Sequence, residues 1–499
     1  MISTGPDPAA SLPPMTVTQA VFGVTGPVPE RGAKTALVAA TSGRSLSYDE
    51  LARAVASIAT GLIRAGLGAG TVIALHLPDS PEFAVALHAV LAAGAVPFPV
   101  RATVTAAELA RLLAEAGARA LVTWPVVLDI AQEAGKSVEL ERLFCFGAEP
   151  DVEPFSDLTT GAATLPETAV DPAADLALHA CTRAVAGRAR TVPLTHADVT
   201  AGLIRLAGAG MIGASDRVLS ALPLADVLGL NGLLNPALRL GATVVTLSGA
   251  GRDNLLRAIQ EQQVTMALVT PEIVEMMAFD RTVGRYRLRS LRAVVSTGGP
   301  LGAEVARACA ARLGCPVRQA YGLAEAAGLT HLNLRAAEEG TLDSIGRALS
   351  GVRWRVADLA TGTEQPAYQA GELCVGVAGR WMRSGDSAFA DEHGRGFVLG
   401  RLGARRPEPP AEPGAVLAAH PAVEDAVVAP APDPELGLVP HAFVVLADRV
   451  SAEDLLAYVN AHVPSYRGVL VVNVVEMIPR SPSGRVLRRA LLERAGLLP

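Results

Sequence analysis

Residues 46–100 read LSYDELARAVASIATGLIRAGLGAGTVIALHLPDSPEFAVALHAVLAAGAVPFPV. Ser47 and Glu50 form a capping-box pattern, and the apolar residues that follow recur at helical spacing, so a helix is predicted to begin there. Residues 71–76 are predicted to form a buried strand, and the Ser-Pro pair at 80–81 predicts the start of a second helix. Short strands that alternate with helices are typical of an α/β protein.

The alternation continues through most of the chain and then changes character. Further strands are predicted at 120–123, 243–247, 266–269 and 293–296. The segment RRPEPPAEP at 405–413 cannot form a helix interior or a central strand because of its prolines, and it is predicted to be a linker. Beyond it, the apolar pattern predicts a compact α+β unit of domain size.

Composition and charge exclude several classes of protein. The 499-residue chain has a formal net charge of −6 and no basic stripe, which argues against nucleic-acid binding. No apolar stretch reaches the roughly 18 to 20 uncharged residues that span a membrane. The five cysteines lie far apart without a C-x-x-C pair, so we expect reduced thiols, no structural zinc and a cytoplasmic location. Proline-rich residues 1–16 are expected to form a disordered tail.

Several blocks of the chain resemble, in the same order, those of acyl-CoA synthetases, peptide-synthetase adenylation domains and luciferases. These blocks are 46–100, 221–230, 295–325, 345–358, 371–401, 415–421 and 478–489. The chain is therefore similar over nearly its whole length to the adenylate-forming (ANL) superfamily. The resemblance implies layered α/β subdomains in a large N-terminal AMP-binding domain at 17–401, a hinge at 402–413, and a small mobile α+β lid domain at 414–499.

The phosphate loop of the superfamily reads close to TSGTTGRPKG, whereas this chain reads TRAVAGRART at 182–191. In such loops, backbone N–H groups beside glycines, hydroxyls and a lysine hold the phosphates. The resemblance assigns nucleotide contacts to Thr182, Gly187 and Arg188, and it puts Arg190 at the place of the lysine, as a catalytic residue. Two interpretations stay open: a surface loop of solvated arginines, or guanidinium groups that hold a phosphate or another oxyanion bidentately.

The motifs for adenosine are better kept. STGGP at 296–300 resembles the strand and turn that cradle adenine, YGLAE at 321–325 resembles Y-G-x-T-E, and SGD at 384–386 resembles T-G-D. On its own, Tyr321 would be read as a core residue and Asp386 as a turn aspartate after glycine, but the matches at superfamily spacing favour a nucleotide site. The resemblance implies nucleotide contacts at Gly298, Gly299, Pro300, Tyr321, Gly322, Asp386 and Arg401, a magnesium contact at Glu325, and a substrate contact at Ser296.

The segment PLADV at 223–227 stands where acyl-CoA synthetases carry P-L-F-H. In amino-acid-activating relatives, this region carries an aspartate that pairs with the amino group of the substrate. A carboxylate in a dry pocket is either protonated or paired with a cation, so Asp226 predicts an amine-bearing substrate, with Val227 and Gly229 in the same pocket. The alternative is an exposed loop aspartate or the N-cap of a helix that begins at Val227.

The catalytic lysine of the superfamily is replaced. Its P-x-x-x-x-G-K motif reads PRSPSGR at 479–485, which puts Arg485 at the lysine's place as the residue that holds the attacking oxyanion. The chain has no lysine after Lys136 that could substitute, and arginine is planar, bulkier and differently hydrated. The segment before SGD is also shorter than in the superfamily, and prolines replace the loop that lines the pantetheine tunnel, so coenzyme A chemistry is not expected.

These features predict a divergent ATP-dependent, AMP-forming ligase. It would bind ATP or AMP with Mg²⁺, activate a carboxylate or a smaller oxyanion as an adenylate, and pass it to an acceptor other than coenzyme A, with an amine-bearing small molecule as a substrate. Three alternatives stay open: a nitrite-activating aryl-amine diazotase of the same superfamily, a non-catalytic pseudo-ligase that binds a nucleotide or acyl-adenylate, and an ordinary acyl-CoA ligase that tolerates arginine.

Arg485→Lys tests whether the arginine is a degraded lysine or part of a redesigned site. If it is a degraded lysine, pyrophosphate exchange should rise, by about tenfold for each ~1.4 kcal/mol of recovered transition-state stabilisation. If the site is shaped around a guanidinium, exchange should fall, because lysine cannot grip an oxyanion bidentately. An unchanged rate would place Arg485 outside the reaction centre.

Overall fold

The computed structural model describes most of the chain. The described residues are 2–3, 13–23, 32–183, 189–249, 251–334, 341–402, 413–433, 437–463, 469–480 and 486–497. The predicted hinge at 402–413 therefore lies almost entirely outside the described residues, and it remains a prediction. So do the positions of Gly187, Arg188 and Arg485.

The strands, numbered in chain order, are β1 Ile2–Ser3, β2 Thr35–Ala39, β3 Ser45–Ser47, β4 Val72–His76, β5 Val96–Val100, β6 Ala120–Thr123, β7 Arg142–Cys145, β8 Glu153–Pro154, β9 Leu176–Arg183, β10 Ala189–Thr195, β11 Arg217–Ser220, β12 Thr243–Thr246, β13 Met266–Val269, β14 Ala293–Ser296, β15 Val317–Leu323, β16 Gly328–Leu332, β17 Arg347–Ala348, β18 Arg353–Ala357, β19 Gly371–Val377, β20 Arg380–Ala390, β21 Gly396–Arg401, β22 Val423–Asp433, β23 Gly437–Leu446 and β24 Val471–Val474.

The α-helices are α1 Val17–Phe22, α2 Tyr48–Arg64, α3 Pro81–Ala92, α4 Ala106–Ala116, α5 Leu128–Lys136, α6 His196–Ala207, α7 Val227–Gly229, α8 Asn235–Leu240, α9 Arg252–Glu261, α10 Pro271–Phe279, α11 Ala303–Leu313, α12 Pro413–Ala418, α13 Ala452–His462 and α14 Arg488–Arg494. A π-helical turn, Leu230–Leu234, joins α7 to α8.

Two sheets with parallel cores organise the large domain. One has nine strands in the order β17-β16-β15-β14-β13-β11-β12-β2-β3, and its strands from β15 to β2 run parallel. The other has five parallel strands in the order β5-β4-β6-β7-β8. Ligands of open parallel sheets bind outside the carboxyl ends of the strands, so the loops after β4, β5, β11, β12 and β14 are where a site is expected.

Helix α3 lies between these two sheets. Every one of its residues is buried, and it contacts β4 and β5 of one sheet and β2 of the other. The Ser80 hydroxyl accepts a hydrogen bond from the Phe83 N–H at 3.2 Å, which is the N-cap that the sequence predicts. A helix that is apolar nearly all round belongs in a core, and α3 holds the two sheets in one arrangement.

The smaller domain packs its own core around a three-stranded sheet, β22-β23-β24. It contacts the large domain at the start of α4 and after β12. Asn460 Nδ2 donates a hydrogen bond to the Thr103 carbonyl at 2.8 Å, and the Ala107 N–H donates to Glu453 Oε1 at 3.4 Å. Pro440 lies against Gly249. These contacts close the small domain over one end of the two sheets.

The predicted α/β fold with a large and a small domain is confirmed. Ser47 caps α2 in a complete capping box, and the strands expected at 120–123, 266–269 and 293–296 are β6, β13 and β14. The remaining five-stranded sheet, β1-β18-β19-β20-β21, is antiparallel. Among the described helices, none combines the length and apolar character that a bilayer span requires.

Both ends of the segment 1–16, for which a disordered tail is expected, have a place in the structure. Ile2 and Ser3 pair with Trp354 and Arg353 at the edge of the antiparallel sheet. Met15 is only 4% exposed and belongs to the main core. Residues 4–12 lie outside the described residues.

Gly249→Ala is expected to displace the small domain. Gly249 has a φ of +75°, and a Cβ at this position would overlap the ring of Pro440; alanine is also unfavourable at positive φ. Gly251→Ala is the matched control, because the nearest atom to its Cβ would be Asn254 Nδ2 at 3.9 Å. Small-angle X-ray scattering should give a larger radius of gyration for Gly249→Ala only. Identical scattering of the two variants would contradict docking at this glycine.

Candidate functional site

Buried hydroxyl groups without partners mark the carboxyl ends of β13 and β14. Ser296 and Thr297 are fully buried, and neither hydroxyl has a hydrogen-bond partner among the described residues. The Thr270 hydroxyl, after β13, also has no hydrogen-bond partner among the described residues. Gly298 follows with a φ of +90° and open space where a side chain would point. Because buried polar groups are nearly always hydrogen-bonded, this edge offers hydrogen bonds to a ligand or to ordered water.

Tyr321, Asp386 and Arg401 meet around one carboxylate. Tyr321 Oη donates a hydrogen bond to Asp386 Oδ2 at 2.6 Å, and Arg401 Nη1 donates to Oδ1 at 3.0 Å. Asp386 and Arg401 are register partners in the β20–β21 pair. Burial raises the pKa of Tyr321 well above its usual value, and the adjacent charge of Asp386 adds to the rise, so the phenol stays a neutral donor.

The carboxylate of Asp386 can accept further hydrogen bonds. A carboxylate offers about four acceptor positions, and Tyr321 and Arg401 use one on each oxygen. Two adjacent hydroxyls, such as those of a ribose, suit the positions that remain. The structure thus brings together three of the residues that the sequence assigns to adenosine, although Asp386 is only 8% exposed in this arrangement.

Glu325 stands alone as a candidate metal ligand. It is exposed on the short helical turn Ala324–Ala326, and no group of three or more His, Cys, Asp or Glu side chains able to hold a metal occurs in the part of the chain that the structure describes. Mg²⁺ is commonly held by one or two carboxylates together with phosphates of the substrate. The described residues therefore do not form a metal site by themselves, and Glu325 fits only an ion that a nucleotide brings.

The predicted phosphate loop joins two strands of a hairpin. β9 and β10 pair antiparallel, with Arg190 opposite Thr182, and Arg190 is exposed. The hydroxyl of Thr191 donates to Glu115 Oε1 at 3.0 Å, which ties the hairpin to α4. The tip of the loop lies outside the described residues, so the choice between solvated arginines and an oxyanion grip stays a prediction.

Asp226 is already paired with a cationic side chain of the protein itself. Arg101, after β5, donates from Nε to Asp226 Oδ1 and from Nη2 to Oδ2, both at 2.7 Å. The prediction that Asp226 needs an amine on the substrate is therefore wrong, because Arg101 already supplies the positive charge. The alternative of a helix N-cap also fails: Asp226 precedes α7, but its side chain caps no N–H group.

A cavity of about 70 Å³ lies beside this ion pair, at the carboxyl ends of strands from both sheets. Asp79 follows β4, Arg101 follows β5, Ala221 follows β11 and Gly249 follows β12. The small domain contributes Leu470. The walls are otherwise mostly apolar, so Asp79 and Arg101 are the charged groups that line it.

Asp79 is the exceptional carboxyl of this cavity. Its Oδ1 accepts a hydrogen bond from the Leu224 N–H at 2.9 Å, and Oδ2 has no hydrogen-bond partner among the described residues. Burial raises the pKa of Asp79 to about 7; the nearby charge of Asp226 adds to the rise, and the Leu224 hydrogen bond and the charge of Arg101 oppose it. In contrast, burial raises the pKa of the neighbouring Cys181 to about 11, so that side chain remains a thiol.

Comparison with known proteins identifies the family. The model of the AMP-binding enzymes matches residues 28–385, and the model of the AMP-binding enzyme C-terminal domain matches residues 414–485. The chain belongs to the adenylate-forming superfamily. It is thus an AMP-forming, ATP-dependent ligase by family. Tyr321 lies within the larger match, and Asp386 and Arg401 follow its end.

Relatives of this AMP-binding enzyme include several coenzyme A ligases. 4-Coumarate–CoA ligase 5 of Oryza sativa subsp. japonica is 29% identical, over 93% of this chain and 92% of its own. 4-Coumarate–CoA ligase 3 of Arabidopsis thaliana is 30% identical, over 92% of this chain and 88% of its own.

Solved structures share the fold over nearly the whole chain. The amide bond synthetase McbA of Marinactinospora thermotolerans is 25% identical, with a TM-score of 0.70 over 97% of this chain and 100% of its own. The anthranilate CoA ligase AuaEII in complex with anthranoyl-AMP has a TM-score of 0.70 at 21% identity, over 98% of both chains.

Some residues assigned to binding have a packing role in the structure. Val227 is 4% exposed and lies in the main core. A Cβ on Gly229 would overlap the Pro223 carbonyl, and a Cβ on Gly322 would overlap Gly328 and come within 2.7 Å of Leu228 Cδ2. The segment 223–229 therefore forms a tight wall, with the cavity on one side and the Tyr321–Gly322 strand on the other.

No motif in the sequence indicated Asp79 or Arg101 as site residues. A signal was present, because each is a charged residue that comes shortly after a buried strand, at 72–76 and at 96–100. In a parallel sheet, such residues share the edge where ligands bind. Asp226 was found, but its partner lies 125 positions away in the chain, and no local pattern connects them.

Asp226→Asn is expected to destabilise the fold by roughly 3 kcal/mol, because it leaves Arg101 unpaired in a partly buried position. Glu141→Gln is the matched control: Arg119 holds Glu141 with the same two nitrogens, but the two side chains are 47% and 51% exposed, so a much smaller loss is expected. Urea unfolding measures both. Equal losses would contradict the burial argument, whereas replacing both Arg101 and Asp226 by apolar residues should recover most of the loss.

Proposed function

We propose that this enzyme activates a carboxylate, or a smaller oxyanion, as its adenylate and passes it to an acceptor other than coenzyme A. The observation that carries the proposal is the Tyr321–Asp386–Arg401 cluster. It offers a neutral aromatic ring beside a carboxylate that has acceptor positions left. That pairing suits an adenine and the two ribose hydroxyls of one nucleotide.

The reaction would proceed along the edge of the nine-stranded sheet. The substrate oxyanion attacks the α-phosphorus of ATP, and pyrophosphate leaves. Arg190 and Arg188 would supply positive charge near the phosphates, and Thr182 and Gly187 of the same loop would contact the nucleotide. Arg485 would hold the attacking oxyanion. Gly299 and Pro300 would flank the adenine beside Gly298. Glu325 would contact Mg²⁺ that arrives with the nucleotide, and Ser296 would contact the acyl group.

The acceptor is proposed to be an amine. The likeness to an amide bond synthetase covers 97% of this chain at 25% identity, which supports transfer to nitrogen. Asp226 no longer supports an amine, because Arg101 neutralises it. The amine proposal therefore rests on that likeness and on the second carboxyl of the cavity, Asp79.

An ordinary coenzyme A ligase is the second candidate. It is favoured by relatives of 29% and 30% identity that are 4-coumarate–CoA ligases. The two candidates share the first half-reaction and differ only in the acceptor. A thioester product therefore decides between them, whereas pyrophosphate release does not.

Asp386→Asn should weaken AMP binding by about 10- to 100-fold, the effect of ~1.5 to 3 kcal/mol for a hydrogen bond to a charged group. Asp391→Asn is the control, because Asp391 is also buried and pairs with an arginine, Arg395, at the same β20–β21 hairpin. Calorimetry with AMP measures both variants. Similar losses in the two variants would assign the effect to the hairpin rather than to the ribose.

The wild-type products distinguish the acceptors. With ATP and a panel of aryl and aliphatic acids, the enzyme should release pyrophosphate and form amides with added primary amines faster than thioesters with coenzyme A. Mass spectrometry of the products checks this. Thioesters in excess over amides would support the second candidate, and the absence of pyrophosphate release with every acid would contradict both.

A further inference from the structure

We propose that the cavity beside the Arg101–Asp226 pair binds the primary ammonium group of the acceptor, with Asp79 as its counter-ion and proton acceptor. The inference rests on the proposed transfer to an acceptor other than coenzyme A, and it assigns that acceptor a chemical class and a place in the fold.

The charges around the cavity do not balance. Asp226 and Arg101 neutralise one another through two hydrogen bonds of 2.7 Å. Asp79 has no ion-pair partner among the described residues, and the other groups that line the cavity from β12 and from the small domain, Leu247, Gly249 and Leu470, carry no charge. When Asp79, Arg101 and Asp226 are all ionised, the cavity together with the ion pair beside it has a net charge of −1, which a single cation would neutralise.

The hydrogen bonds of Asp79 leave room for that cation. The Leu224 N–H occupies Oδ1 at 2.9 Å, whereas Oδ2 has no partner among the described residues. The Ser248 hydroxyl donates to the backbone carbonyl of Asp79, which holds the residue at this edge. A primary ammonium has three donors, and one of them can reach Oδ2 while its carbon chain contacts the apolar walls.

The wall at 223–229 connects this cavity to the adenosine cluster. Pro223 and Ala225 line the cavity, and Leu228 lies against Gly322, next to Tyr321. The two sites lie at the same edge of the nine-stranded sheet, where β11 and β15 are separated by β13 and β14. Three strand spacings of ~4.8 Å place them about 14 Å apart, and one acyl-adenylate can span most of that distance.

The small domain forms part of the cavity wall. Leu470 lines it, and the Leu470 N–H donates to the carbonyl of Pro440, the residue that lies against Gly249. Asn460 holds the same domain to the Thr103 carbonyl, and Thr103 lines the cavity as well. A movement of the small domain would therefore open the cavity to an acceptor and then enclose it.

Transfer then needs one proton acceptor. The Asp79 carboxylate takes a proton from the ammonium, which leaves a neutral amine with a free electron pair. The amine nitrogen forms a bond to the acyl carbon, and the bond from that carbon to the phosphate oxygen breaks, so that AMP leaves. The second proton of the nitrogen passes to solvent. A carboxyl whose pKa burial raises to about 7 suits this exchange better than an ordinary aspartate.

Binding of n-propylamine tests the cavity independently of the acid substrate. Over pH 6 to 8 the amine stays protonated, since its pKa resembles the ~10.4 of lysine, while Asp79 loses its proton. Calorimetric affinity should therefore rise with pH through about 7, towards tenfold per unit below that pKa. Asp79→Asn, which can keep the Leu224 hydrogen bond, should lose at least tenfold in affinity and all of the pH dependence. Asp391→Asn should behave like the wild type.

Each outcome decides between the proposals. Equal affinity in the wild type and Asp79→Asn, or equal binding of 1-propanol or of K⁺ from KCl, would overturn the ammonium site. If the wild type exchanges pyrophosphate but does not bind the amine, this inference alone is overturned. If the protein binds the amine at Asp79 but does not exchange pyrophosphate, the proposed function is contradicted and the cation site is supported. In a variant that binds AMP normally, a raised KM for the amine marks a binding role, and a lowered kcat marks proton transfer.

Discussion

Parallel strand pairing is the constraint on which the other features of this protein depend. Since β11 to β15 and β4 to β5 run in one direction within their sheets, the residues that follow them come out at shared edges. Helix α3, buried on every side, fixes the two sheets against one another. The charged residues Asp79, Arg101 and Asp226 thus meet in space although the chain separates them widely. The Tyr321–Asp386–Arg401 cluster, the candidate adenosine site, lies a few strands away.

Two of the carboxylates at these sites are paired with an arginine, and Asp79, within the part of the chain that the structure describes, is not. Around Asp386 and around Asp226, an arginine supplies the positive charge, in keeping with a chain that has no lysine after Lys136. An arginine fork holds a carboxylate in a fixed orientation, so both pairs also position the loops that carry them. Asp79 departs from this pattern, because no arginine approaches it among the described residues within ion-pair distance, and burial raises its pKa to about 7.

Local patterns predicted much of this architecture. The capping box at Ser47 and the Ser-Pro start of α3 gave helices at the expected residues, because these signals act within a few positions of the chain. Motif spacing indicated Tyr321, Asp386 and Arg401 as one candidate site, and the three side chains meet in the structure. The Arg101–Asp226 pair and the close approach at Gly229 were not predictable, because each depends on segments that only the folded sheets or a local turn bring together. The wrong expectation for Asp226 followed from treating its charge without its distant partner.

A crystal structure with bound AMP tests the central claim most directly, namely that the edge after β14 and β15 is the nucleotide site. We predict adenine against the ring of Tyr321, ribose hydroxyls within hydrogen-bond distance of the Asp386 carboxylate, and the Arg101–Asp226 pair unchanged in the neighbouring wall. AMP bound elsewhere, or an Asp386 carboxylate that contacts only Tyr321 and Arg401 in the complex, would contradict the account.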